Sequence, residues 1–136
     1  MKLHYEVDGE EFAAAGQASG NIKKMLKQLG IASDVIRKIS IAVYEAEINM
    51  VIHADGGTVD VDIQTDKIYI ALKDTGPGIP NIDLAMREGY STASDEVRDL
   101  GFGAGMGLPN IQKNSDFLKI TSAVGVGTTV EIEVNL

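Results

Sequence analysis

The alternation of apolar and polar positions divides the 136-residue chain into a short series of elements. Residues 2–7 (KLHYEV) alternate with period two, which predicts a strand, with Asp8-Gly9 as a turn. From 17 to 29 the period lengthens to that of a helix, with Ile22, Met25, Leu26 and Leu29 on one side, and Gly30 stands where a helix stops. Ser33-Asp34 reads as the N-terminal cap of a long helix through 52, in which Val35, Ile36, Ile39, Val43, Ala46 and Met50 keep the helical period. HADGG (53–57) ends it. TVDVDIQ (58–64) and KIYIALKD (67–74) are two strands joined at Thr65-Asp66. The first sets Val59, Val61 and Ile63 against Asp60, Asp62 and Gln64, giving one buried face and one wet face. TGPGIPN (75–81) is irregular, 82–87 fits a short helix, 88–101 is polar without a period, and Gly107 opens a helix through 115. FLKITSA (117–123), the turn VGVG (124–127) and TTVEIEVNL (128–136) predict a closing hairpin. This order predicts an α+β fold, a two-layer sandwich with a mostly antiparallel sheet and helices on one face.

Length and composition narrow the class. With 136 residues, 44% of them hydrophobic, the chain suits one domain, 1–136, with its own core. It contains no cysteine, which rules out a disulfide framework and a thiolate metal site and agrees with a reducing cytoplasm. MKLHYEVDGEEF has no apolar run after its lysine, so no signal peptide is expected, and no stretch is long and apolar enough to span a bilayer. A soluble cytoplasmic domain is the expectation. The 20 acidic residues against 12 basic give a formal charge of −8, which repels a polyphosphate backbone and argues against nucleic acid as a partner. A single nucleotide escapes that argument, because backbone dipoles or a divalent cation can neutralise it locally.

Three short stretches are equipped for such chemistry. In EAEIN (45–49), Glu45 and Asn49 are four residues apart and share a helix face. Asn49 can offer an oxygen to Mg²⁺, and Glu45 can accept or orient a hydroxyl proton. A wet stripe on an amphipathic helix produces the same spacing. DTGPGI (74–79) follows a strand directly. Asp74 can accept a hydrogen bond from a purine amine, and Gly76 and Gly78 allow a sharp turn and close approach, as they do in an ordinary Gly/Pro turn. GFGAGMG (101–107) runs into LPNIQKN and places unhindered backbone N–H groups at a helix start, where partial positive charge collects. No Gly-Lys-Ser/Thr follows, so it is not a P-loop, and the alternating glycines do not fit the dinucleotide-binding pattern.

Taken in order, these stretches resemble the GHKL ATPases, which share the Bergerat nucleotide-binding fold. Within that superfamily the chain is similar to the stand-alone anti-sigma-factor serine/threonine kinases and switch kinases of bacterial partner-switching systems. The matching segments are AVYEAEINMVIHA (42–54), KDTGPGIPNI (73–82), EGYST (88–92), GMGLPNIQ (105–112) and GTTVEIEV (127–134). The resemblance implies a protein kinase that uses ATP and Mg²⁺, with Glu45 as general base and Asn49 as metal ligand. It implies that Asp74 reads the adenine amine, with Gly76, Gly78 and Ile79 around the base. Gly103, Gly105, Met106, Gly107 and Leu108 would hold the phosphates, and Thr128 and Thr129 would line the adenine pocket. Residues 88–101 would form a lid; Arg87 and Arg98 are within reach of a γ-phosphate there, but the expectation for each is a simply exposed side chain.

The implied partner is a STAS-domain antagonist phosphorylated on Ser or Thr, with a sigma factor or other effector as a further partner and a homodimer as one expected assembly. A non-catalytic, nucleotide-dependent binding module and a nucleotide-free interaction domain are the competing expectations. From a length that leaves no room for a phosphoacceptor-histidine segment or a transducer domain, neither a complete histidine kinase nor a gyrase-like or MutL-like machine is expected. One position departs from the pattern. Glu47 stands where relatives usually carry a small or apolar residue, and is expected to weaken nucleotide binding if it faces the site or to be neutral if it faces solvent.

Overall fold

A computed structural model describes residues 1–8, 16–53, 56–78 and 107–136. Its elements are β1 (Lys2–Asp8), α1 (Gln17–Gln28), α2 (Ser33–His53), β2 (Gly56–Ile63), β3 (Lys67–Asp74), α3 (Gly107–Lys113), β4 (Phe117–Ala123) and β5 (Gly127–Asn135). The strands form one sheet in the order β1-β2-β3-β5-β4, every neighbouring pair antiparallel. This is the expected α+β sandwich. The lid segment, the short helix at 82–87, Arg87 and Arg98 lie outside the described residues.

Strand alternation decides which side of the sheet the helices cover. Val59 and Val61 of β2, Ile68, Ile70 and Leu72 of β3, and Ile132 and Val134 of β5 point to one face and are buried. Ile22 and Leu26 of α1, Ile39 and Val43 of α2, and Ile111 of α3 pack onto them. Each such side chain contributes about 1.5–3 kcal/mol by leaving water. The opposite face stays polar: Tyr69 donates to Glu131 at 2.6 Å and Lys67 to Glu133 at 2.9 Å across neighbouring strands. The Glu131 hydrogen bond raises the Tyr69 phenol to about 12.

The helix boundaries follow from local chemistry. At Gly30, Gly30 N–H bonds the Lys27 carbonyl and Ile31 N–H the Leu26 carbonyl, the paired bonds of a Schellman turn, with Ile31 packed against the core. The first bond of α2 runs from Ile36 N–H to the Ala32 carbonyl. Ser33 and Asp34 therefore belong to the first helical turn, where Asp34 faces the positive end of the helix dipole, and are not the cap itself. Among the described residues no helix is long and apolar enough to cross a membrane.

Candidate nucleotide site

The site is built where α2, the end of β3, the root of the β4–β5 hairpin and the start of α3 come together. Glu45 and Asn49 lie one turn apart on α2, both half-buried, between the core residues Ala46 and Met50. Asn110 of α3 donates its Nδ2–H to Glu45 Oε1 at 3.4 Å, a long hydrogen bond. Burial raises the Glu45 carboxyl above its ordinary value, and the Asn110 bond pulls it back only in part. A carboxylate short of both water and donors is a better proton acceptor than one in solution.

Asp74 ends β3 and points to the helix side of the sheet, in step with Leu72 and Ile70. Its Oδ1 accepts N–H bonds from Gly76 at 2.9 Å and from Thr128 at 3.2 Å. The first is an Asx turn that starts the glycine loop; the second ties the loop to β5. Both bonds fall on one oxygen, and among the described residues the other has no partner. Thr128 is 8% exposed, and its hydroxyl lies 3.0 Å from that of Ser122 on β4, which itself donates to the Gly127 carbonyl at 3.2 Å. Either hydroxyl can donate to the other, and each also carries lone pairs that can accept.

The loop after Asp74 crosses the hairpin at van der Waals distance. Gly78 has φ 80°, and a Cβ there would sit 2.5 Å from the Ala123 carbonyl oxygen; a Cβ on Gly127 would sit 2.1 Å from the Asp74 carbonyl oxygen. Gly125 N–H bonds the Pro77 carbonyl at 2.9 Å and closes the crossing. What Gly78 meets among the described residues is thus the hairpin backbone. Thr128 and Thr129 part company here. Thr129 pairs with Lys73 and Thr121 and lies on the Glu131–Glu133 side of the sheet, away from the helices, whereas Thr128 shares the side of Asp74.

Gly107 opens α3, and Leu108 and Ile111 seat that helix on the core. Ile79, Gly103, Gly105 and Met106 lie outside the described residues. Among the described residues no three His, Cys, Asp or Glu side chains gather as a metal cluster. The residues present are compatible with a hard cation such as Mg²⁺, which prefers oxygen ligands: the half-buried Asn49 carries a carboxamide oxygen that would serve as one.

Glu47 takes neither of the two expected positions. It is 1% exposed and faces neither solvent nor the Glu45 side of α2. Its carboxylate accepts backbone N–H bonds from Gly16 at 3.0 Å, Ala18 at 3.2 Å and Ser19 at 3.0 Å at the start of α1. The expectation failed because it weighed only ligand and water as surroundings, and the partner is a helix terminus. Asn110 and Ser122 were not foreseen either. Both reach the site from distant sequence, and only Asn110, just inside a glycine-opened helix, carried a recognisable signal.

A family model for histidine kinase-, DNA gyrase B- and HSP90-like ATPases matches residues 34–136, the span that carries Glu45, Asn49, Asp74 and both glycine loops. The chain belongs to this ATPase family. Members similar to it include the serine/threonine-protein kinase RsbT of Bacillus subtilis, 29% identical over 125 residues (89% of this chain and 86% of RsbT). The anti-sigma F factor of Clostridium beijerinckii is 33% identical over 132 residues (93% of this chain and 85% of that protein). Among solved structures, the SiaB–SiaC complex of Pseudomonas aeruginosa contains a chain that matches with a TM-score of 0.67 at 10% identity, over 97% of this chain and 88% of that one. At that identity the likeness concerns the fold alone, over nearly all of this chain.

Proposed function

We propose that this chain is an ATP-dependent serine/threonine protein kinase acting as an anti-sigma factor or switch protein, and that its substrate is a STAS-domain antagonist in the cytoplasm. The observation that carries the reading is Glu45: a half-buried carboxylate, raised by desolvation, one helical turn from Asn49 and tied to the helix that follows the second glycine loop. The names of the relatives, a serine/threonine-protein kinase and anti-sigma F factors, support it.

In this reading Asp74 accepts a hydrogen bond from the adenine amine with its Oδ2, while the Gly76 and Thr128 amides hold Oδ1 in place. Thr128 offers its hydroxyl oxygen beside it. Asn49 and the backbone amides at Gly107 hold Mg²⁺ and phosphate. Bound Mg²⁺ supplies charge neutralisation, on which phosphoryl transfer chiefly depends together with positioning. Glu45 receives the proton of the acceptor serine or threonine hydroxyl.

The test incubates the protein with Mg-ATP and a candidate STAS-domain antagonist, and looks for phosphoserine or phosphothreonine by mass spectrometry. Transfer that disappears in Glu45→Ala supports the kinase. Tight, nucleotide-dependent partner binding with no transfer overturns it in favour of a binding module.

A further inference from the structure

Glu47 sits between Glu45 and Asn49 in sequence but on the other side of α2 in space. Residues 45 and 49 share one face, and residue 47 lies about 200° round the helix from residue 45. There it performs a task that α1 does not perform for itself. The first-turn amides of a helix have no intrahelical acceptors and are usually met by a Ser, Thr, Asp or Asn side chain at the N-cap. The N-cap of α1 is Gly16, with φ 96° and no side chain to offer. A Cβ there would stand 3.0 Å from the ring of Tyr44 on α2. The cap therefore comes from α2. Glu47 Oε2 takes the Gly16 and Ala18 amides and Oε1 takes that of Ser19.

Such bonds are charge-assisted and placed at the positive end of a helix dipole. Because both oxygens are held by donors fixed in a helix, turning α2 about its axis or sliding it along α1 breaks at least one of them. The grip acts on the very turn of α2 that carries Glu45 and Asn49.

We propose that Glu47 is a positioning residue for the nucleotide site, fixing the rotation and height of the Glu45–Asn49 turn by gripping the N-terminal amides of α1. This rests on the nucleotide reading above and adds a role for a residue that touches no ligand. It separates two contributions to binding. Asp74 and Thr128, on the sheet, act on the base with or without metal, whereas Asn49 acts through Mg²⁺ alone. The ratio of ADP affinity with Mg²⁺ to that without it reports where Asn49 stands. A cap that served only the stability of α1 leaves this ratio untouched in folded protein.

The experiment measures that ratio by calorimetry for the full chain, Glu47→Gln and Glu47→Ala, with amide hydrogen exchange at Gly16, Ala18 and Ser19 as a nucleotide-free readout. In both variants these amides exchange faster. The ratio falls about tenfold in Glu47→Ala, the lower end of what losing a supporting partner costs in metal affinity, and by less in Glu47→Gln, which keeps one acceptor oxygen. Should Glu47→Ala fail to fold, Glu47→Gln carries the test. A ratio equal to wild type in either folded variant overturns the proposal. A wild-type chain that binds no ADP in either condition overturns the nucleotide reading itself, and this inference with it.

Discussion

On one side of α2, Glu45 is half-buried and, among the described residues, meets one carboxamide donor at 3.4 Å; on the other, Glu47 is buried and meets three backbone amides at 3.0–3.2 Å. The two carboxylates are two residues apart, and the more deeply buried is the better satisfied. Burial alone thus does not decide what a carboxylate is for. Donors aimed at both oxygens replace the lost water and make Glu47 a structural anion, whereas the sparse donors around Glu45 leave it with an appetite for a proton. One helix supplies both environments because its faces meet different neighbours: a helix N-terminus at Glu47, and at Glu45, among the described residues, the Asn110 side chain of α3.

The largest expected effect removes the reactive member. Glu45→Gln keeps the shape and the Asn110 contact but loses the base, so phosphoryl transfer to the partner should fall about 10²–10⁴-fold while ADP affinity changes little. Loss of ADP binding in step with activity would instead make Glu45 a binding group and dissolve the contrast. Next comes the structural member. Glu47→Ala leaves three amides of α1 without acceptors, and denaturant unfolding should show a loss of about 3 kcal/mol, the scale of a buried polar group left unsatisfied. The two variants then sort oppositely, one losing activity without losing stability and the other losing stability first.

Much of this was legible in the chain. The patterns of TVDVDIQ and KIYIALKD gave two strands, alternation gave the buried side of the first, and Gly30 gave the end of α1. The Glu45–Asn49 pairing followed from helical spacing. What was hidden depended on partners without side-chain signatures. Glu47 meets backbone amides, and the helix they begin has a glycine where a capping residue would have announced itself. The split between Thr128 and Thr129 needs the parity of β5 against β3, which no local pattern in TTVEIEVNL supplies. Asn110 and Ser122 join the site through folding of distant segments, and their residue types suit a helix face or a strand equally well.

A smaller change tunes the reactive side without removing it. Asn110→Ala deletes the one hydrogen bond that lowers the Glu45 carboxyl, so its pKa rises further. A general base works only when ionised, and the acid limb of the pH–rate profile should therefore move to higher pH, with the rate on the alkaline plateau nearly unchanged. A limb that stays in place, or moves to lower pH, breaks the argument that Asn110 restrains Glu45.

The smallest effect is on stability, and its sign follows from the same desolvation. The folded chain holds the Glu45 carboxyl above its ordinary value of 4.5, so the ionised group is less comfortable folded than unfolded. Its favourable share of stability is complete below pH 4.5 and is lost as the pH rises through the raised folded value. At neutral pH the wild-type chain therefore carries a charge that opposes folding, in a protein whose net charge is already −8. Glu45→Gln should have a slightly higher Tm than wild type at pH 7, with the gap closing as the pH is lowered below the glutamate range. Glu47→Gln should lower the Tm, because one of the two oxygens that accept the amides at the start of α1 is replaced by an N–H donor. Equal shifts of one sign in both variants would mean that the two faces of α2 do not differ as their donors indicate.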